Sequence, residues 1–488
     1  MTIQSLKPQS LWRYFHALTQ IPRPSFEEEA VRAYVLAQAQ ELGLQAEQDE
    51  VGNILVKKPA TAGYEQAVGV ILQAHLDMVA QKNNDTVHDF SKDPIKTRIE
   101  EGWVYATGTT LGADNGIGVA AILAVLADTS LTHGPLEALF TATEETGMVG
   151  AKGLRANWLS GDVLLNLDAE EEGELYIGCA GGVDGSFALT LQAQSAPKAQ
   201  AYRLTVKGLR GGHSGMDIGK MRGNANKLLA LLLDALLQQQ PLNLHSFQGG
   251  SLRNAIPREA QAVFASALDY AQIEQQLAQT HQALLRTLAL EDRGLIYILE
   301  TLEPQAVQGD WVSAEDSAKV LALIDALPHG VEAMDAEISG QVATSVNLAQ
   351  VQMEPTALSI HTLLRSADDK ARDRLARRMA QIVTLAGGLS EFSEEYSGWL
   401  PEPKARINEI MQQTGEAQFG KRPTLSSIHA GLECGILANN YPHWQMISFG
   451  PTIEMPHSPE ERVEIASVER FYQWLCTSLQ VLAKEPRT

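Results

Sequence analysis

Three apolar runs in the first third of the chain each end in acids or a histidine: AVGVILQAHLD (67–77), LEALFTATEE (136–145) and DVLLNLDAEEEG (162–173). Apolar runs bounded by polar residues suit strands buried on both faces, and such a sheet needs helices to cover it. A helical pattern, GADNGIGVAAILAVLAD (112–128), stands between the first two runs. This alternation predicts an α/β fold built on a mixed, mostly parallel sheet with helices on both faces. Sheets of this kind place their sites beyond the carboxyl ends of the strands. That is where the acids and the histidine stand.

Local patterns refine the reading. Ser25 and Glu28 in SFEE form a capping-box pattern ahead of EEAVRAYVLAQAQELG, a helix expected to stop at Gly43. TATEETG (141–147) sets Glu144 and Glu145 side by side. Strand alternation would send the two to opposite faces. For both to reach one cleft, the chain must leave regular strand geometry across Thr143–Thr146, and Gly147 is a place for it to do so.

At 488 residues the chain exceeds what one core serves, so two or more domains are expected. The texture changes after GGVDG (181–185), where a strand (202–209), a glycine-rich loop, RGGHSG (210–215), and an apolar helix near 224–240 follow in turn. Residues 186–400 read as an inserted α+β domain, and WLPEP (399–403) as a linker. The remaining segment is too short to stand alone and returns to complete the first domain. The division is therefore 1–185 with 401–488, and 186–400.

The formal net charge of −21 argues against nucleic acid and anionic membranes as partners. Three cysteines, Cys179, Cys434 and Cys476, make no CxxC pair and suit a reducing compartment. With no signal-peptide pattern at the N-terminus, a cytoplasmic location is expected.

The candidate ligands are spread along the sequence. His75 and Asp77 share a face in extended chain, which suits a histidine oriented by a carboxylate. Asp114, at the start of a helix, suits an N-cap, a role that leaves its second oxygen free. Glu144, Glu145 and Asp168 close the next two strands, and His457 stands in the proline-bounded loop EMPHSP. His, Asp and Glu ligands without cysteine suit zinc, manganese or cobalt in a catalytic site.

Six motifs in this order, HLDMV, GTTLGADNGIG, TATEETGMVGA, LLNLDAEEEGELYIG, LRGGHSGMDI and HAGLECG, resemble the di-zinc metallopeptidases of the aminoacylase and carboxypeptidase type, over nearly the whole chain. The resemblance implies two Zn²⁺ per subunit, replaceable by Co²⁺ or Mn²⁺. It assigns His75, Asp114, Glu145, Asp168 and His457 as ligands, with Asp114 bridging the two ions. Glu144 would be the general base acting on a metal-bridging hydroxide, and Asp77 would orient His75. Three carboxylates and a hydroxide would then balance two divalent ions, which a low-dielectric cleft favours. Glu144 is left free to carry a proton. The presence of this base argues against a non-catalytic binding protein on the same scaffold.

The implied reaction is metal-dependent hydrolysis of dipeptides with a free C-terminus, with Xaa-His-like and broad specificity. The alternative is an N-acyl-amino-acid deacylase or a carboxypeptidase on the same scaffold. The inserted domain would be a lid with dimerisation and substrate-binding roles, and the protein a homodimer acting on small peptides. By resemblance, His213 in GGHSG stabilises the tetrahedral intermediate and, in dimeric members, reaches the partner's site. Read locally, that loop is a glycine turn with Ser214 as an N-cap. Asn254 and Arg365 match residues that contact the substrate's terminal carboxylate or carbonyl, an arginine offering a bidentate fork. A surface ion pair with Asp368 or Asp369 is the other reading of Arg365. His429 and Glu433 would line the substrate cleft.

Overall fold

The structure is a computed structural model that describes residues 2–303 and 307–487. Its contacts divide the chain into two compact units. The first comprises residues 1–178, 401–427 and 432–488, and the second residues 179–400 and 428–431.

The first unit is built on an eight-stranded sheet. Its order is Gln45–Gln48, Ile54–Lys58, Leu136–Thr141, Val70–His75, Val163–Asn166, Gln445–Ser448, Glu174–Cys179 and Thr424–Ile428. The four central strands, from Leu136–Thr141 to Gln445–Ser448, pair in parallel. Antiparallel pairing begins on either side of them, so the sheet is mixed. Every residue of Val70–His75, Leu136–Thr141 and Val163–Asn166 is buried, as strands covered on both faces require. The helix Ala113–Ala127 is apolar nearly all round and is buried from Asn115 to Leu126. The helix Ile465–Leu482 packs Phe471 and Trp474, tilted and edge-on, against Phe449 just past the Gln445–Ser448 strand.

The three strands stop earlier than their apolar runs suggest, at His75, Thr141 and Asn166. Just beyond, the Leu76 N–H still donates to Thr141 O at 2.8 Å and the Leu167 N–H to Gln73 O at 2.9 Å, whereas the Ala142 N–H donates to a side chain, Asn53 Oδ1, at 3.1 Å. The chain leaves strand geometry at Thr143, where φ is +49°, and turns again at Gly147, where φ is +92°.

Two of the local capping patterns are not used. The first-unit helix runs Glu29–Glu41, and no side chain caps its start; Gly43 follows its end with φ +67° as expected. Ser25 instead donates its hydroxyl to Asp77 Oδ2 at 2.8 Å. Asp114 does not cap its helix either. Gly112 is the N-cap, and Asp114 is extended, with φ −78° and ψ 112°.

The second unit carries a nine-stranded sheet among its described residues, with antiparallel pairing throughout. The apolar helix Ala225–Leu237 is capped by the Asn224 side chain, which accepts from the Asn226 and Lys227 amides. Ser214 therefore caps nothing. It lies ten residues ahead of Asn224 and is buried with its hydroxyl unpartnered. Leu229, Leu233 and Ile273 from the helices join Leu204, Phe264 and Leu348 from the sheet in one core. Among the described residues, no helix is long and apolar enough to cross a membrane.

Candidate metal centre

Beyond the ends of the parallel strands, the first unit gathers the seven residues that the sequence singles out. His75 closes the Val70–His75 strand and is 1% exposed. Its Nε2 lies 3.1 Å from Asp114 Oδ1 and 3.3 Å from Asp168 Oδ1. His457 Nε2 lies 3.1 Å from Asp114 Oδ2 and 3.0 Å from Glu145 Oε2. Asp114 thus belongs to two groups, one oxygen in each: His75–Asp114–Asp168 and Asp114–Glu145–His457. Glu144 joins neither. It groups with His75 and Glu145 alone.

Asp77 stands against the His75 ring and holds the TEE turn. Its Oδ1 lies 3.3 Å from His75 Nδ1 and accepts the Glu144 N–H at 2.9 Å. Its Oδ2 accepts the Glu145 N–H at 3.1 Å as well as the Ser25 hydroxyl. The turn is fastened a second time by Thr143, whose hydroxyl donates to the buried Glu28 at 2.5 Å. Ser25 and Glu28, whose spacing resembles a capping box, therefore both serve the site. Local spacing carries no signal for that role.

Glu433 does not line a cleft. It is fully buried, accepting from Gln73 Nε2 at 2.6 Å and Thr141 Oγ1 at 2.7 Å. Asn166 Nδ2 in turn donates to Gln73 Oε1 at 2.5 Å. One polar network thus ties together the ends of the three parallel strands. Sequence reasoning missed it, because Gln73, Thr141 and Asn166 look like ordinary strand residues.

The electrostatics follow from crowding carboxylates out of water. Burial, helped by Asp168, Glu433 and Glu145, pushes the Glu144 carboxyl well above the usual range against the pull of His75. Asp168 rises to about 6 and Glu433 to about 7, burial being the main cause in each. Burial also opposes the charge on Asp114, but His457 and His75 outweigh it and hold that carboxyl well below its ordinary value. Hydrogen bonds that the His457 ring donates to Asp114 and Glu145 raise it to about 11.

The residues fit a pair of divalent cations. Glu145 Oε1 is buried without a hydrogen-bond donor among the described residues. A buried carboxylate oxygen in that state needs a cation or a proton. The donor set is nitrogen and oxygen only, which suits zinc, manganese or cobalt.

The remaining candidates share a neighbourhood within the second unit. His213 pairs with Ala255 across a two-residue ladder, and the Ser214 N–H donates to Asn254 O at 2.8 Å, which ties the Asn254 loop to the His213 loop. The His213 N–H donates to Asp217 Oδ2 at 2.8 Å. The amides of Gly215 and Met216 donate to His213 Nδ1, at 3.2 and 3.1 Å. A neutral ring accepting at Nδ1 carries its proton on Nε2. Burial first, and Arg365 second, lower this imidazole and keep it neutral. A Cβ at Gly215 would lie 2.2 Å from His429 O, so only glycine permits that approach.

His429 is buried, with Nε2 2.7 Å from Ser345 Oγ, and burial followed by Arg365 lowers it to about 4. Ser345 stands opposite Arg365 on the adjacent strand. Arg365 is buried and, among the described residues, makes no ion pair. Its Nη1 donates to the Tyr396 hydroxyl at 2.8 Å, while Nε is buried and unpartnered. Asp368 caps the next helix, and Asp369 pairs with Arg372. Tyr396 is a further residue that sequence reasoning missed.

A mixed α/β unit whose parallel strands end in an N/O ligand cluster is an architecture of metal-dependent hydrolases. The chain belongs to peptidase family M20/M25/M40, whose pattern matches residues 71–480. Among individual proteins it is similar to the cytosol non-specific dipeptidase of Escherichia coli (strain K12), with 45% identity over 98% of each chain. It is also similar to the crystal structure of aminoacylhistidine dipeptidase from Vibrio alginolyticus. There the TM-score is 0.93 at 42% identity, covering 100% of this chain and 99% of the other. A tripeptidase from Staphylococcus aureus shares the fold at a TM-score of 0.57 and 17% identity, over 98% of this chain and 100% of the other.

Proposed function

We propose that this protein is a metal-dependent dipeptidase of broad specificity, acting on dipeptides with a free C-terminus. The observation that carries the reading is Asp114, whose two oxygens each face a different histidine–carboxylate group. In this reading His75, Asp114 and Asp168 hold one divalent ion, and Asp114, Glu145 and His457 hold the other. Zinc is the proposed metal, with cobalt or manganese as substitutes. The 45% identity to a cytosol non-specific dipeptidase supports the substrate class and a cytoplasmic location. Homodimerisation is proposed from the resemblance of the GGHSG segment.

Bound ions would supply Lewis acidity and a water more acidic than bulk. The residues of the chain do the rest. Glu144, outside both Asp114 groups and with a carboxyl raised by burial, takes a proton from the nucleophilic water and delivers it to the leaving amine. Asp77 holds the Glu144 backbone and the His75 ring in place. His213, neutral with its proton on Nε2, is a donor suited to a developing oxyanion. Arg365, pinned by Tyr396 and with its Nε unpartnered, is suited to the substrate carboxylate, and Asn254 and His429 are the further proposed substrate contacts.

The experiment is a panel: a dipeptide, its N-acetylated form, its C-terminal amide and a tripeptide, each given to zinc-loaded protein. The free dipeptide should be cleaved fastest. Preference for the acetylated form would make the protein a deacylase. Cleavage of the amide as fast as the acid would refute carboxylate recognition.

A further inference from the structure

Arg23 and Glu461 have no part in the steps above, yet both are 2% exposed and meet at the start of the Ala113–Ala127 helix. Glu461 Oε2 accepts the amides of Leu111 at 2.7 Å and Gly112 at 2.9 Å. Its Oε1 accepts those of Ala113 at 2.7 Å and Asp114 at 3.2 Å. Helix starts leave such donors unpaired, and here consecutive ones converge on a single distant carboxylate.

Arg23 grips the same turn from its carbonyl side. Its Nη2 donates to Gly112 O at 2.5 Å, and its Nη1 donates to Leu76 O at 2.9 Å and Asp77 O at 2.8 Å. Gly112 is therefore held by Glu461 at its N–H and by Arg23 at its C=O. The space is built for the guanidinium, since a Cβ would lie 2.5 Å from Arg23 Nη2 at Gly112 and 2.7 Å from it at Gly116. A neutral amide side chain offers one acceptor oxygen, whereas the Glu461 carboxylate offers two and takes all four amides.

We propose that Arg23 and Glu461 form one two-sided clamp that sets the position of the Asp114 turn relative to the His75–Asp77 strand end. Through that position the clamp sets metal affinity. Both are positioning residues, since neither touches the reacting atoms. The inference rests on the reading of Asp114 as the shared ligand.

Two measurements test it. The first is hydrogen exchange of the intact wild-type chain, stripped of metal and then loaded with zinc. A preorganised clamp protects the Leu111–Asp114 amides in both states. Amides that exchange freely until zinc is added would overturn it. The second is zinc affinity, by competition with a chelator, for Glu461→Gln and Arg23→Lys. A core variant, Phe471→Leu, serves as a control matched for loss of thermal stability. The clamp variants should lose about tenfold or more in affinity, as is typical when the support of a metal ligand is removed, while the control stays near wild type.

Wild-type affinity in the clamp variants, or an equal loss in the control, would overturn the proposal. Should Glu461→Gln fail to fold, Glu461→Asp and the wild-type exchange experiment still decide it. Wild-type protein that takes up no zinc despite protected amides would refute the metal reading, and with it the link to affinity, leaving the positioning of the turn standing.

Discussion

The Asp77 carboxylate carries the backbone of Glu144, accepting its N–H at 2.9 Å, and also stands 3.3 Å from the ring of His75. One side chain therefore sets a proposed ligand and the proposed base together. Asp77→Asn keeps the shape but turns an NH₂ toward an N–H donor. It also removes the anion facing His75. Zinc affinity should fall about 10–100-fold, the usual range for such support, and kcat should fall even when zinc is saturating. Chelator competition and steady-state kinetics on the same preparation check this.

Glu144 and Glu145 should separate in the same assays. Glu144→Gln removes the proposed proton carrier, which stands outside both Asp114 groups, so zinc should stay bound while kcat drops about 10²–10⁴-fold. Glu145→Gln removes a proposed ligand beside His457, so zinc should be lost. Metal content after gel filtration, read beside kcat, gives the answer. Equal metal loss in both variants would refute the division of roles.

Without an ion, His457 holds a proton tightly, its value raised to about 11 by Asp114 and Glu145. Zinc must displace that proton, so binding should release protons and strengthen as pH rises from 6 to 9. The sign for folding is opposite. In stripped protein, the stability that His457 contributes is fully present below its unfolded value, about 6.5. It is lost as pH rises through about 11. Calorimetry in two buffers of different ionisation enthalpy measures the proton count.

Glu433 is raised from 4.5 to about 7 by burial, so its share of stability is present at acid pH and lost as pH rises through about 7. Glu433→Gln preserves an acceptor for Gln73 and Thr141 and removes the buried charge. The thermal midpoint of the variant should fall less than that of wild type between pH 5 and 8. A difference of a few °C is expected if about 1 kcal/mol is at stake. Thermal denaturation at the two pH values checks it.

Arg365→Lys keeps the charge and loses the fork. kcat/KM for a free dipeptide should drop about 10–100-fold, the range for a charge-assisted hydrogen bond. The C-terminal amide should be affected much less. Tyr396→Phe, which frees Nη1, should give a smaller loss in the same direction.

The linear sequence determined which atoms are available and roughly where each element lies. Apolar runs marked the buried strands, and the order of acids and histidines after them marked the residues that gather at the strand ends, because burial and strand direction are written in local pattern. It did not determine where the strands stop or which carboxylate meets which donor. Ser25 and Glu28 have the spacing of a cap, yet they serve Asp77 and Thr143. Asp114 stands where a cap belongs, yet Glu461 takes the amides. A carboxylate accepts from whichever N–H lies within about 3 Å. Chain separation does not enter that distance, so only the packed fold could pair Arg23 with Gly112, Glu433 with Gln73, or Tyr396 with Arg365.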